Sequence, residues 1–326
     1  MTEWKKEAAK KTSLRVLVER TQGLLISFLI LAALLLVAAV WIPKVYQLKN
    51  LENMLRTYAP GGIVAVGLSL VILTGEMDVS VGAIMTLAMA VAAKLYDVSE
   101  WLALAAACLT GLLAGGLNGW LITKTRVPSL MLTIGATSIY SGLASILVRA
   151  QKKYITEMYP VTLKLAKGSV LGIPTPLLVC VLLALGFYFV LSRTTLGKQV
   201  YYTGANRRAA WMSGVEIGRI KRICFTVSGL LAAIAAVLLS GQLGSSTVQL
   251  GNGYDVTAIS MAVLGGVSLS GGKGMTIGTL LGFVTISLMQ NMLAIAGLGT
   301  YVSTTLKGVM IILAVFLYGL TVRRKN

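Results

Sequence analysis

The sequence predicts an all-α, polytopic membrane protein of about ten transmembrane helices. Three observations carry that prediction. Apolar residues fill 56% of the 326 positions and charged residues only 12%, against about 25% charged in ordinary soluble domains. The mean hydropathy is +0.82. Apolar runs recur along the whole chain at close to the ~20 residues that cross a hydrocarbon core of about 30 Å.

Hydropathy places the spans near residues 24–41, 58–73, 79–95, 102–122, 129–148, 176–191, 223–242, 258–269, 276–296 and 302–320. The polar stretch before the first span is too long and too polar for a cleaved signal, so 24–41 reads as a retained membrane helix. The elements at 58–73 and 258–269 are short and glycine-rich, and broken or partial spans are expected there. The chain divides into an N-terminal segment 1–22, a membrane domain 23–320 with a polar loop at 193–222, and a tail 321–326.

Orientation follows from the cations. With the N-terminus inside, Lys124, Arg126, the 193–222 loop, Lys273 and both cationic termini share one side. The other side holds mainly Lys44, Lys49, Arg56 and a dissenting cationic loop at 149–167. The sum puts both termini and the 193–222 loop in the cytoplasm, by the bias of Lys and Arg toward that face. The same bias accounts for the net charge of +18. Nucleic-acid binding is excluded, because no soluble basic domain exists to carry it.

What is missing limits the chemistry. There is no histidine, so neither a Ser-His-Asp relay nor a histidine metal site is available. Cys108, Cys180 and Cys224 stand singly in apolar segments and read as small core residues. No cofactor or metal is implied.

A faint internal repeat accompanies the spans. One apolar run ends in Thr74-Gly-Glu-Met-Asp-Val-Ser-Val-Gly82, and the next spans then carry Asn118 and the Val127-Pro128 turn. Another ends in Val267-Ser-Leu-Ser-Gly-Gly-Lys-Gly274 and is followed by a span with Asn291. Five spans per half would invert the second half relative to the first, a recurring transporter plan. Chance likeness among oily segments is the alternative.

Local motifs refine the picture. In the loop 75–82, Asp78 either marks function, as acids at membrane depth do, or caps the next helix, with capping the better account. Gly111, Gly115 and Gly119, and Gly274, Gly278 and Gly282, have the small-xxx-small spacing that lets helices approach closely. Asn118 and Asn291 are amides inside apolar spans and need partners, in another helix or along a polar path. Leu269-Ser-Gly-Gly-Lys273 imitates an ATPase signature, but no phosphate-binding loop accompanies it, so it reads as a glycine-rich turn.

The segment 193–222 is the most distinctive. Arg193, Lys198, Arg207, Arg208, Arg219, Lys221 and Arg222 face one acid, Glu216. Asn206 can cap a short helix over 207–213 that Gly214 ends. Ala209, Ala210 and Trp211 would then be offered to a partner. The alternative is a solvated basic loop drawn to anionic lipid.

On these residues the chain resembles the permease subunits of ABC importers, in the ribose/xylose-type sugar permease family. The stretches GEMDVSVGAIMTLA (75–88), LNGWLITKTRVPSLMLTIGATSIYSGLA (117–144), TTLGKQVYYTGANRRAAWMSGV (194–215) and GYDVTAISMAVLGGVSLSGGKG (253–274) carry the resemblance. It covers roughly 53–318. It implies that Asn206, Arg207, Arg208, Ala209, Ala210 and Gly214 form the loop that seats in a groove of a cytoplasmic ATPase. It also implies an extracytoplasmic substrate-binding protein, a second permease subunit (identical or related), a bacterial inner-membrane location, and no hydrolysis by the permease itself. Two departures stand out. Arg207 and Arg208 replace the acids common before the Ala-Ala pair, and Glu76-Met77 precede Asp78 where the family commonly has Gly-Ile-Asp-Leu-Ser.

A neutral, hydroxyl-rich cargo suits a path lined by Asn118, Thr133, Ser138, Ser268 and Asn291. The competing readings are a permease for branched-chain amino acids or nucleosides, and an ion-coupled carrier or channel. Against the last, histidine is absent, and Lys307 is the only charge well inside a span.

Overall fold

A computed structural model describes residues 25–125, 127–148, 153–156 and 159–323. The N-terminal segment 1–22, Arg126 and the last three residues of the tail lie outside the described residues. The helices are α1 (Leu25–Trp41), α2 (Leu48–Leu73), α3 (Val81–Leu95), α4 (Glu100–Lys124), α5 (Ser129–Val148), α6 (Pro160–Lys167) and α7 (Thr175–Arg193). There follow α8 (Thr195–Ala205), α9 (Arg207–Met212), α10 (Ile217–Leu243), α11 (Tyr254–Leu264), α12 (Thr276–Ile295) and α13 (Thr300–Arg323). Among the described residues six helices (α2, α4, α5, α7, α10 and α12) are long and apolar enough to cross a membrane, while α1, α3 and α11 are shorter apolar helices.

The expected short span at 58–73 is instead the second half of an unbroken 26-residue α2. Lys49, Asn50, Glu52, Asn53 and Arg56 depress hydropathy in its first half, and three of them find partners there. Glu52 and Arg56 pair one turn apart at 2.7 Å, and Asn50 exchanges hydrogen bonds with Asn291. Pro60 sits inside the helix without ending it. The second short element is real but shifted. At 1.5 Å per residue, the 11 residues of α11 reach only about 16 Å, and the rest of the expected span is a turn.

α2 and α10 form the centre, with 78% and 72% of their apolar windows buried, against 22% for the peripheral α7. Small residues make this possible. A Cβ on Gly111 or Gly115 of α4 would overlap the carbonyl oxygens of Gly229 and Phe225 on α10, and one on Gly282 of α12 would overlap that of Met261 on α11. The order long, short, long occurs twice, in α2–α3–α4 and α10–α11–α12. The packing matches it: α4 lies on α10 as α12 lies on α2, and α3 on α5 as α11 on α13. This pattern pairs the loop after α2 with the loop after α10, rather than with 267–274 as the sequence motifs suggested. The loop after α10 packs on the first turns of α3, where the Gly251 N–H donates to Thr86 Oγ1 at 3.1 Å and Gly82 lies against Gly251.

The connections gather at two ends. One end joins 74–80, 193–216 and 265–275, through the Gly272 N–H to Leu73 O at 2.9 Å. The other carries α6, strand β1 (Lys153–Tyr154) paired antiparallel with β4 (Ser245–Ser246), and the hairpin of β2 (Ser169–Val170) and β3 (Ile173–Pro174). There the Glu100 carboxylate accepts the Val161 and Thr162 N–H groups at 3.1 and 2.6 Å, anchoring the start of α6 to α4.

Candidate functional site

The cationic segment is helical rather than an open loop. Thr194 caps α8 by accepting the Gly197 N–H at 3.2 Å. Asn206 caps α9 by accepting the Ala209 N–H at 3.0 Å. Gly214, at φ +79°, turns the chain after α9 in a conformation that favours glycine. α10 then begins at Ile217, so Arg219, Lys221 and Arg222 belong to its opening turns. Arg208, Ala209, Trp211 and Met212 are exposed, with Trp211 71% accessible. Ala210, expected to face outward with them, is buried. Its carbonyl accepts the Val215 N–H as the chain turns back.

Six of the seven cations are exposed; Lys221 is buried. It meets Glu76, whose Oε1 lies 2.5 Å from Lys221 Nζ and 2.5 Å from Arg207 Nη2. Arg207 also reaches Gly75 O at 3.3 Å. Glu76, for which the sequence offered no role, thus pairs with two cations of the segment. Around it Gly204 packs on the Leu73 carbonyl, Tyr201 donates to Gly274 O at 2.8 Å, and the Ser268 and Ser270 hydroxyls stand 2.8 Å apart. Leu269–Lys273 is a turn in which Gly271 and Gly272 have φ of +82° and +70°.

The five residues read as a substrate path do not gather round one space. Asn118 donates to Ser80 Oγ at 2.8 Å and accepts from the Tyr140 hydroxyl at 2.8 Å, an interhelical network. Ser80 in turn donates through N–H and Oγ to Asp78 Oδ1, at 2.9 and 2.6 Å. Asp78 therefore accepts a backbone N–H just before α3 rather than capping its first turn. Thr133 accepts the Val79 N–H at 3.3 Å. Ser138 is exposed on α5, Ser268 lies in the turn near the cationic segment, and Asn291 pairs with Asn50 near the opposite end.

A cavity of about 750 Å³ opens elsewhere, between α2, α10, α11, α12 and α13. Asn53, Thr57, Asn252, Gln290 and Thr304 contribute amides and hydroxyls, and Tyr58 and Tyr254 contribute aromatic faces. Arg56, Lys167 and Lys307 are its cations. Lys307 donates to Thr257 Oγ1 at 3.2 Å. Gln290 Nε2 is buried without a partner among the described residues. Sequence reasoning missed this set because it set aside the polar half of α2 as non-membrane. Gln290, an amide in an apolar span beside Asn291, was the available signal.

Buried central helices, a cavity among them bearing amides and hydroxyls, and a cationic helical segment at one end fit a membrane permease. The chain belongs to the family described as the branched-chain amino acid transport system permease component, which its residues 50–315 match. It is 33% identical to the ribose import permease protein RbsC of Escherichia coli (strain K12), over 89% of this chain and 91% of that protein. It is 34% identical to RbsC of Bacillus subtilis (strain 168), with the same coverage. To the xylose transport system permease protein XylH of Escherichia coli (strain K12) it is 29% identical, over 85% of this chain and 86% of that protein. No solved structure matches the chain.

Proposed function

We propose that this chain is the transmembrane permease subunit of an ATP-driven importer, carrying a monosaccharide or related small neutral polyol across a bacterial inner membrane. The cavity carries this reading. Its amides and hydroxyls (Asn53, Thr57, Asn252, Gln290, Thr304) can exchange hydrogen bonds with sugar hydroxyls, and its volume of about 750 Å³ falls in the range of small-molecule sites. The relatives' names, ribose import and xylose transport, point the same way. The path runs through this cavity, with Asn118, Thr133, Ser138, Ser268 and Asn291 supporting it from outside the lining.

ATP hydrolysis belongs to a separate ATPase subunit. Asn206, Arg207, Arg208, Ala209, Ala210 and Gly214 form its docking element, with Trp211 and Met212 as the apolar face. Ten spans follow if α1, α2, α3, α4, α5, α7, α10, α11, α12 and α13 each cross. The matched packing of α2–α3–α4 and α10–α11–α12 supports two inverted halves, and both termini then lie with α9 in the cytoplasm. A second permease subunit and an extracytoplasmic binding protein complete the importer.

Uptake of labelled ribose and xylose by the assembled complex tests the reading. Gln290→Ala removes one hydrogen bond worth about 1 kcal/mol and lowers uptake roughly fivefold at unchanged expression. Gly214→Trp, or deletion of 206–214, abolishes ATPase association. Ion-driven transport from proteoliposomes holding no ATPase would overturn the assignment.

A further inference from the structure

We propose that Glu76 is a positioning residue that fastens the docking helix α9 to the membrane bundle, so that the α2–α3 loop and the start of α10 follow α9 when it is pulled. The inference rests on the reading of α9 as the ATPase-docking element and names the part that transmits its motion. α9 is six residues long, mostly exposed, and held at its ends by the Asn206 cap and the turn at Gly214. Its link to the 74–80 loop is Arg207, which reaches Glu76 Oε1 and Gly75 O. The same Glu76 oxygen binds Lys221 on α10. One carboxylate, 8% exposed, therefore joins three separate segments, with Lys221 at 11% and Arg207 at 54% exposure.

The arrangement is asymmetric. Without Arg207, Glu76 keeps Lys221 and the buried charges stay balanced. Without Glu76, Lys221 remains buried and unpaired beside a second cation, and breaking a buried pair from one side is the costly case. Loss at Glu76 therefore exceeds loss at Arg207. Arg208, exposed and outside the bridge, is left to face the partner.

Two measurements test the tether, in lipid nanodiscs. Amide exchange of 207–212 is followed in the permease alone, and sugar transported per ATP hydrolysed is followed in the complex with its co-purifying ATPase. Glu76→Gln is expected to keep the ATPase bound, to speed exchange in α9 about tenfold, and to lower transport per ATP about tenfold. Arg207→Gln gives a smaller change of the same kind. Glu76→Gln with Arg207→Gln together does no more than Glu76→Gln alone, the non-additivity expected of one shared interaction. Unchanged exchange and coupling in Glu76→Gln, or uptake and hydrolysis falling in proportion, overturns the proposal. Where Glu76→Gln fails to fold, Arg207→Gln decides alone: exchange and coupling identical to the parent overturn it. If the parent chain binds no ATPase through α9, the docking reading falls, and the exchange arm still decides whether Glu76 holds the helix.

Discussion

Asn118 makes two hydrogen bonds at a point where water cannot replace them. Its amide joins Ser80, at the head of α3, to Tyr140 on α5. Interhelical hydrogen bonds in membranes average about 0.6 kcal/mol, with about 1.7 at the upper end. Tyr140→Phe removes one such bond, so it should cost about 0.6 kcal/mol. Asn118→Leu removes both, leaves Ser80 with Asp78 and Tyr140 with the Ala114 carbonyl as their remaining partners, and places a branched side chain in a fully buried site; about 2 kcal/mol is expected. At roughly 2–4 °C per kcal/mol for a chain near this size, thermal unfolding in detergent separates the two. The phenylalanine variant should barely shift and the leucine variant should fall by several degrees. An equal or reversed order would show that the amide is not the hub. The need of Asn118 for a partner was legible in the sequence. The partners were not, because they lie 38 and 22 positions away and only the packing of three helices brings them together.

At the level of elements, the glycine spacing of α4 was legible and its counterpart was not. Small residues every fourth position announce a close helix contact, but only the fold shows that the partner is α10. Gly115 and Gly229 face each other so closely that a Cβ on either meets backbone of the other helix, which cannot yield as a side chain can. Overpacking usually costs about 1–3 kcal/mol, and Gly115→Leu should exceed that range and abolish accumulation of folded protein. Gly186→Leu, on peripheral α7 with nothing within 4 Å of its Cβ position, is the control and should accumulate normally; size-exclusion profiles of the two variants make the comparison. Helix limits were legible where apolarity and helicity coincide: 129–148 matches α5 residue for residue. They failed at the starts of α2 and α10, where Asn50, Arg56 and Lys221 are helical and pair with Asn291, Glu52 and Glu76. Hydropathy registers the cost of such residues and is blind to their partners.

Over the whole molecule the connections sort to two ends, and that sorting carries the orientation. The cationic segment shares its end with 74–80 and 265–275. The opposite end holds the β2–β3 hairpin and α6, whose last residue, Lys167, lines the cavity. The cationic segment was legible because its charge and caps are local in sequence. The cavity was not, since its lining comes from six helices and a loop spread between Asn53 and Lys307. A cytoplasmic ATPase can reach α9 only if that end faces inward, and sugar can enter the cavity from outside only if the hairpin end faces outward. Both requirements are met by one orientation, the one the Lys and Arg bias also selects. Single cysteines test it in a chain whose Cys108, Cys180 and Cys224 are replaced by alanine. Leu171→Cys, 98% exposed in the hairpin turn, should react with an impermeant maleimide added to intact spheroplasts; Met212→Cys, 74% exposed on α9, should react only in inverted vesicles. Labelling of both from the same side would mean an even number of crossings between them, and α7 could then not be a span. Exchange of the two sides would keep the helix count and reverse the transporter, placing α9 where no ATP is present.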